Sequence, residues 1–131
     1  MNLFLVTGGS KFKGTRLVFE VLDRLHLERN FTHMVHGDAA GVDTMAHRWS
    51  KKAGVQPVAM EALWDYDGDP AGTKRNQRMW DLFQPKLVVA FPGARGTANM
   101  MRISFNGGAE VIDVGLIDTD NPNPIEGIWK T

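Results

Sequence analysis

The chain has 131 residues, 43 % of them hydrophobic and 23 % charged, with basic and acidic side chains balanced at 15 each and no cysteine. That length suits one domain with one substantial core, and a formal net charge of zero gives no generalised attraction to nucleic acid or anionic membrane. Without cysteine there are no disulfides, thiolate metal sites or cysteine nucleophiles. No apolar run approaches the roughly 18 residues of a membrane span, and the apolar stretch at residues 1–6 is too short for a signal peptide, so the cytoplasm is the expected compartment.

Residues 3–6 form a short apolar run, closed by Thr7-Gly8-Gly9-Ser10. Residues 15–26 carry Leu17, Val18, Val21, Leu22 and Leu25, the stripe of an amphipathic helix. Lys11, Lys13 and Arg16 lie in or just after the turn, where they face either solvent or an anion. Residues 32–36 read as a second strand, followed by Gly37-Asp38-Ala39-Ala40-Gly41-Val42-Asp43 and a helix over 42–53 that Gly54 ends. Asp38 and Asp43 flank glycines at this strand-to-helix junction, and such carboxylates cap helices, hold ribose hydroxyls or act as bases.

Residues 55–60 predict a third strand, near an edge because of Pro57. Residues 61–72 are the longest stretch without a regular pattern. They contain Trp64-Asp65-Tyr66-Asp67-Gly68-Asp69-Pro70, whose aromatics either stack on a base or plug the edge of the core. Gly72-Thr73-Lys74-Arg75-Asn76 opens a helix carrying Met79, Leu82 and Phe83 and ended by Pro85. Cations in a first turn oppose the helix dipole, an arrangement that predicts a missing anion, with phosphate the natural candidate.

The stretch over residues 87–101 organises the rest. Leu87-Val88-Val89-Ala90-Phe91 is uninterruptedly apolar, the habit of a parallel strand covered on both faces. Pro92-Gly93-Ala94-Arg95-Gly96-Thr97 then turns the chain into a helix over about 97–105, for which Thr97 is the expected N-cap. A glycine turn that opens a helix gathers unpaired N–H groups at the positive end of the dipole, and this suits an anion. Asn106-Gly107-Gly108 leads to a fifth strand at 110–114. Residues 115–131, rich in Asp, Asn and Pro with a late apolar patch of Ile125, Ile128 and Trp129, read as an irregular tail.

Strands and helices in strict alternation predict a Rossmann-like three-layer α/β domain around a five-stranded parallel sheet, in the order 3-2-1-4-5, with its core in residues 3–114. In such sheets ligands sit beyond the strand carboxyl ends where the strand order reverses. The glycine turns that open helices lie on the side of the strands' carboxyl ends, so with the first and fourth strands as neighbours they should converge. The expected ligand contacts are Gly8, Gly9, Ser10, Lys11, Gly37, Asp38, Gly41, Asp43, Trp64, Lys74, Arg75, Asn76, Pro92, Gly93, Arg95, Gly96 and Thr97. Asp38, Asp43 and Asp65 are the candidate catalytic carboxylates. His26, His33, His36 and His47 lack metal-ligand spacing, so no metal site is expected, and Ser10, Ser50 and Ser104 lack a nucleophile-elbow context.

Four segments resemble the SLOG superfamily, which joins the LOG-type nucleotide hydrolases and the DprA/Smf proteins: Val6-Thr7-Gly8-Gly9-Ser10, His36-Gly37-Asp38-Ala39-Ala40-Gly41-Val42-Asp43, Ala71-Gly72-Thr73-Lys74-Arg75-Asn76 and Phe91-Pro92-Gly93-Ala94-Arg95-Gly96-Thr97-Ala98-Asn99-Met100. Within it the chain is most similar to the small YspA-like proteins, some of them encoded by bacteriophages. The resemblance implies a Rossmann-like fold, a nucleotide or nucleotide-derived (ADP-ribose-like) ligand, and homo-oligomers such as dimers or tetramers. LOG hydrolases carry Pro-Gly-Gly-x-Gly-Thr-x-x-Glu. Here Ala94 replaces the second glycine and Met100 the glutamate, and a thioether neither takes a proton nor stabilises an oxocarbenium ion.

The leading expectation is therefore a protein that binds a nucleotide-derived molecule, as a sensor or, if phage-encoded, as a sequestering protein in the host cytoplasm. Phosphate would sit on residues 93–97 with Arg75 or Arg95, and ribose near Asp38 or Asp43. No cofactor is required, and magnesium would enter only with a phosphate ligand. The alternatives are an N-glycosidic or phosphoester hydrolase with a non-standard acid, and single-strand nucleic-acid binding on Lys11, Lys13, Lys74, Arg75 and Arg95 with Trp64 as a stacking platform. Neutral overall charge argues against the last.

Overall fold

The computed structural model describes residues 1–116. Five strands, β1 (Leu3–Thr7), β2 (His33–His36), β3 (Gln56–Ala59), β4 (Leu87–Ala90) and β5 (Glu110–Asp113), form one sheet in the order β3-β2-β1-β4-β5. Every neighbouring pair is parallel, with Val6 opposite Val89 and Phe4 opposite Met34 at the centre. The sheet is the expected one. Its crossovers are α1 (Thr15–Arg29), α2 (Val42–Ala53), α4 (Ala71–Phe83) and α5 (Arg95–Asn106), with a one-turn helix α3 (Trp64–Asp67) before α4 and a 3-10 turn (Val114–Leu116) after β5.

Period-two alternation assigns each strand residue to one of two cores. Phe4, Val6, Met34, Leu87 and Val89 face α1 and α2, where Val18, Leu22, Leu25, Val42, Ala46 and Trp49 pack on them. Leu5, Val35 and Val88 face the opposite side, closed by Met79 of α4 and Met100 of α5. Phe4 stacks on Phe31 at 3.9 Å and meets the edge of Trp49. Burial on both faces explains why the central strands read as unbroken apolar runs.

The boundaries differ from expectation where local signals are absent. Helix α1 runs one turn further, to Arg29, through an exposed Leu27-Glu28 segment without apolar periodicity. It ends at Asn30, left-handed at φ 52°, whose N–H bonds to His26 O. Pro57 pairs with Met34 in β3, which occupies one edge of the sheet. Within residues 61–72 the N–H groups of Asp67 and Gly68 close the turn of α3 on the carbonyls of Leu63 and Trp64. Helix α5 begins at Arg95 with Ala94 in the cap position, so Thr97 is not the N-cap and lies inside the first turn with its side chain buried. Val114 leaves β5 for the 3-10 turn. Most of the tail, including Ile125, Ile128 and Trp129, lies outside the described residues. Among the described residues no helix is long and apolar enough to cross a membrane.

Candidate functional site

Because β1 and β4 are neighbours while their helices cover opposite faces, the loops after them part at the switch point and open a cleft of about 450 Å³. That volume falls within the range of small-molecule sites. The two loops are locked together by backbone: Gly9 N–H donates to Pro92 O at 2.9 Å, and Phe91 N–H donates to Thr7 O at 2.9 Å. The loop after β2 docks on the same point, with Val42 N–H on Gly9 O at 3.2 Å. Gly41 makes this approach possible, since it sits at φ 73° and any Cβ there would collide with Gly9 O.

The loop after β2 is held by side chains that sequence reasoning did not connect. Asp43 does not cap α2, because Gly41 occupies that position. Its Oδ2 instead accepts the N–H groups of Gly37 at 3.1 Å and Ala39 at 3.2 Å. His36 Nδ1 accepts the Asp38 N–H at 2.9 Å, and its Nε2 lies 2.8 Å from His47 Nδ1. The backbone bond fixes the tautomer, so Nε2–H is the donor to His47. Arg75 donates to Gly37 O. Three successive amides, 37 to 39, thus serve the protein itself.

Burial sets the ionisation of both side chains. Asp43 is 5 % exposed. Burial pushes its carboxyl from 3.8 up to about 6, against the pull of its two amide donors and of Arg75. Burial, with His47 nearby, pushes His36 from 6.5 down to about 4. Asp43 Oδ1 has no partner among the described residues and belongs to the carboxylate that lines the cleft. Of the three carboxylate candidates, Asp43 alone lines the cleft. Asp38 is exposed at φ 56° and Asp65 is exposed on α3.

Helix α4 supplies the other wall. Arg75 Nε donates to Asn76 Oδ1 at 3.0 Å, and Asn76 Nδ2 donates to Gly96 O at 3.1 Å and Asn99 Oδ1 at 3.0 Å. The Arg-Asn pair therefore braces α4 against the loop after β2 and against α5. Desolvation lowers the Arg75 pKa, partly offset by Asp43. Lys74 answers the argument for a missing anion differently: its Nζ lies 3.5 Å from Asp67 Oδ1, and Arg78 Nη1 lies 3.6 Å from Asp67 Oδ2. Asp67 of α3 thus gives Lys74 a counter-charge within the chain.

Of the expected contacts the cleft brings together Gly8, Gly9, Ser10, Lys11, Asp43, Arg75, Asn76, Pro92, Gly93, Gly96 and Thr97. Gly37, Asp38, Gly41, Trp64, Lys74 and Arg95 do not line it. Phe12, Ala39 and Ala94 line it without having been singled out, since nothing local marks an apolar loop residue as a wall. Among the described residues, the amides of Ser10, Lys11, Ala94, Arg95, Gly96 and Thr97 have no acceptor. Gly96 differs from the interlocked glycines: a Cβ there would meet nothing within 4 Å. Met100 is fully buried beside Leu5 and Val88, so the family glutamate position points into the core here.

A doubly wound parallel sheet with a cleft at its switch point defines a Rossmann-like α/β protein. Within that class the chain belongs to the YspA, cpYpsA-related SLOG family, which its residues 4–66 match. The Gene 61 protein of Mycobacterium phage D29 is 34 % identical over 123 residues, covering 88 % of this chain and 98 % of the relative. The X-ray structure of TM1055, a Northeast Structural Genomics Consortium target, has the same fold at a TM-score of 0.67 and 19 % identity, covering 85 % of this chain and 72 % of that one.

Proposed function

We propose that the cleft binds a nucleotide or nucleotide-derived, ADP-ribose-like molecule, and that the protein acts as a sensor or a sequestering agent for it. The observation that carries this reading is the first turn of α5. Its orphan amides and the positive helix end face a cleft that also holds Arg75 and Lys11. Gly96 supports it, because glycine in a helix costs about 1 kcal/mol relative to alanine and no neighbour demands it. Phosphate would rest on residues 94–97 with Arg75, and a ribose hydroxyl would donate to Asp43 Oδ1. Magnesium would arrive on the phosphate. The phage relative suits sequestration of a signal nucleotide in a host cytoplasm. Self-association into a dimer or tetramer completes the reading, with the exposed Leu82 and Phe105 as surface for it. Calorimetry against a nucleotide panel that includes cyclic ADP-ribose isomers tests binding. Saturable heat from at least one member is expected, and silence across the panel would discredit the proposal.

Asp43 favours a second reading. A buried carboxyl with its pKa near 6 can hold or release a proton near neutral pH, so slow N-glycosidic or phosphoester cleavage is open to it. Chromatography of nucleotides incubated with the protein decides: an unchanged panel removes this second reading and leaves the first standing.

A further inference from the structure

The rim of the cleft carries an aromatic surface that neither the fold nor the phosphate site accounts for. Helix α3 buries none of its residues, yet it is fastened in place. Asp67 sits between Lys74 and Arg78 of α4, and the Trp64 ring rests on the first turn of the same helix. A Cβ placed on Gly72 would stand 3.6 Å from Trp64 Cη2 and 3.9 Å from Arg75 Nη2. The indole and the guanidinium of Arg75, a residue that lines the cleft, therefore flank one point. Trp64 nevertheless leaves 60 % of its surface open.

From this juxtaposition we infer that Trp64 is the stacking platform for the base of a nucleoside phosphate whose phosphate lies on the first turn of α5. The inference rests on the phosphate reading above and adds the part of the ligand that the cleft does not enclose. Charge fixes the direction. The α5 end offers orphan amides, Lys11 and Arg75, whereas the segment that carries Trp64 also carries the exposed Glu61, Asp65 and Asp69, with Lys74 and Arg78 turned to Asp67. The acidic excess of that segment favours an uncharged ring with amino donors over a second phosphate. An exposed aromatic face beside a cleft suits any base, because every base has a π-face. Trp64 thereby discriminates nucleotides from sugar phosphates.

The test compares ribose 5-phosphate with the four ribonucleoside 5′-monophosphates by calorimetry, in the wild type and in Trp64→Ala and Trp64→Phe. The wild type should bind at least one monophosphate roughly ten-fold or more tighter than ribose 5-phosphate. Trp64→Ala should abolish that ratio while leaving ribose 5-phosphate binding unchanged, and Trp64→Phe should restore most of it. Equal affinity of the wild type for sugar phosphate and nucleotides overturns the base platform alone. Parallel weakening of both ligands in Trp64→Ala marks a structural residue and also overturns it. A ratio unchanged in Trp64→Ala, with a dimer becoming a monomer by sedimentation, assigns the surface to a second copy and overturns it. Silence of the wild type toward every probe overturns the phosphate reading itself, and this inference falls with it.

Discussion

At the scale of single residues, the loop after β2 is governed by two side chains whose burial works in opposite directions. Asp43, raised to about 6, keeps a proton in the folded chain between pH 4 and 6 that the unfolded chain has released, so its contribution weakens as pH rises through that window. His36, lowered to about 4, refuses between pH 4 and 6.5 a proton that the unfolded chain holds, so its contribution strengthens with pH. Each amounts to something on the order of 3 kcal/mol, and the two largely cancel. Asp43→Asn retains an acceptor for the Gly37 and Ala39 amides but removes the titration. Its stability should therefore climb more steeply than that of the wild type between pH 4 and 6.5, measured by urea unfolding at several pH values. Parallel curves for the two proteins would contradict this account. In the sequence Asp43 reads as a helix cap, a ribose ligand or a base, because its local position suits all three. Its actual partners lie four and six residues back on a turn whose shape depends on Gly41 meeting Gly9. The pairing of His36 with His47 was equally invisible, since an eleven-residue spacing means nothing until the end of β2 and the second turn of α2 are side by side.

At the scale of elements, Asn76 shows how a binding motif can be a joint. Its amide bonds both the Gly96 carbonyl and Asn99, and it is 3 % exposed, so it couples α4 to the helix whose N-terminus faces the cleft. Asn76→Ala removes both of these bonds and takes the acceptor from the part-buried Arg75 Nε–H, so it should destabilise the chain by about 1–3 kcal/mol, read as a lower midpoint in thermal unfolding. An unchanged midpoint would show that the joint carries no stability. The elements themselves were largely legible. Unbroken apolar runs marked the buried parallel strands, and the stripes of α1 and α2 marked helices with one covered face. What sequence could not show was α3. Its single turn is too short for periodicity, and its place is set by the pairing of Asp67 with Lys74 and Arg78 across a Pro-containing loop. The same pairing gives Lys74 a carboxylate partner inside the chain.

At the scale of the whole molecule, three strand-end loops and the start of α4 converge to bound one cleft. Alternation of elements and the handedness of crossovers indicated a doubly wound sheet, and the order β3-β2-β1-β4-β5, expected by analogy with such sheets, is the one observed. Which glycines serve the protein and which face open space did not, because glycine looks the same in either role. Gly41 is required by backbone contact, whereas Gly96 has empty space above it. The most direct measurement is therefore Gly96→Asp, compared with wild type for thermal stability and for affinity toward the nucleotide that the wild type binds best. A carboxylate in the first turn of α5 suits the helix dipole and replaces a weak helix former, so the midpoint should hold or rise. An anion site there predicts that affinity falls ten-fold or more through charge repulsion. A variant that folds as well as the wild type and binds the nucleotide just as tightly would contradict the central claim.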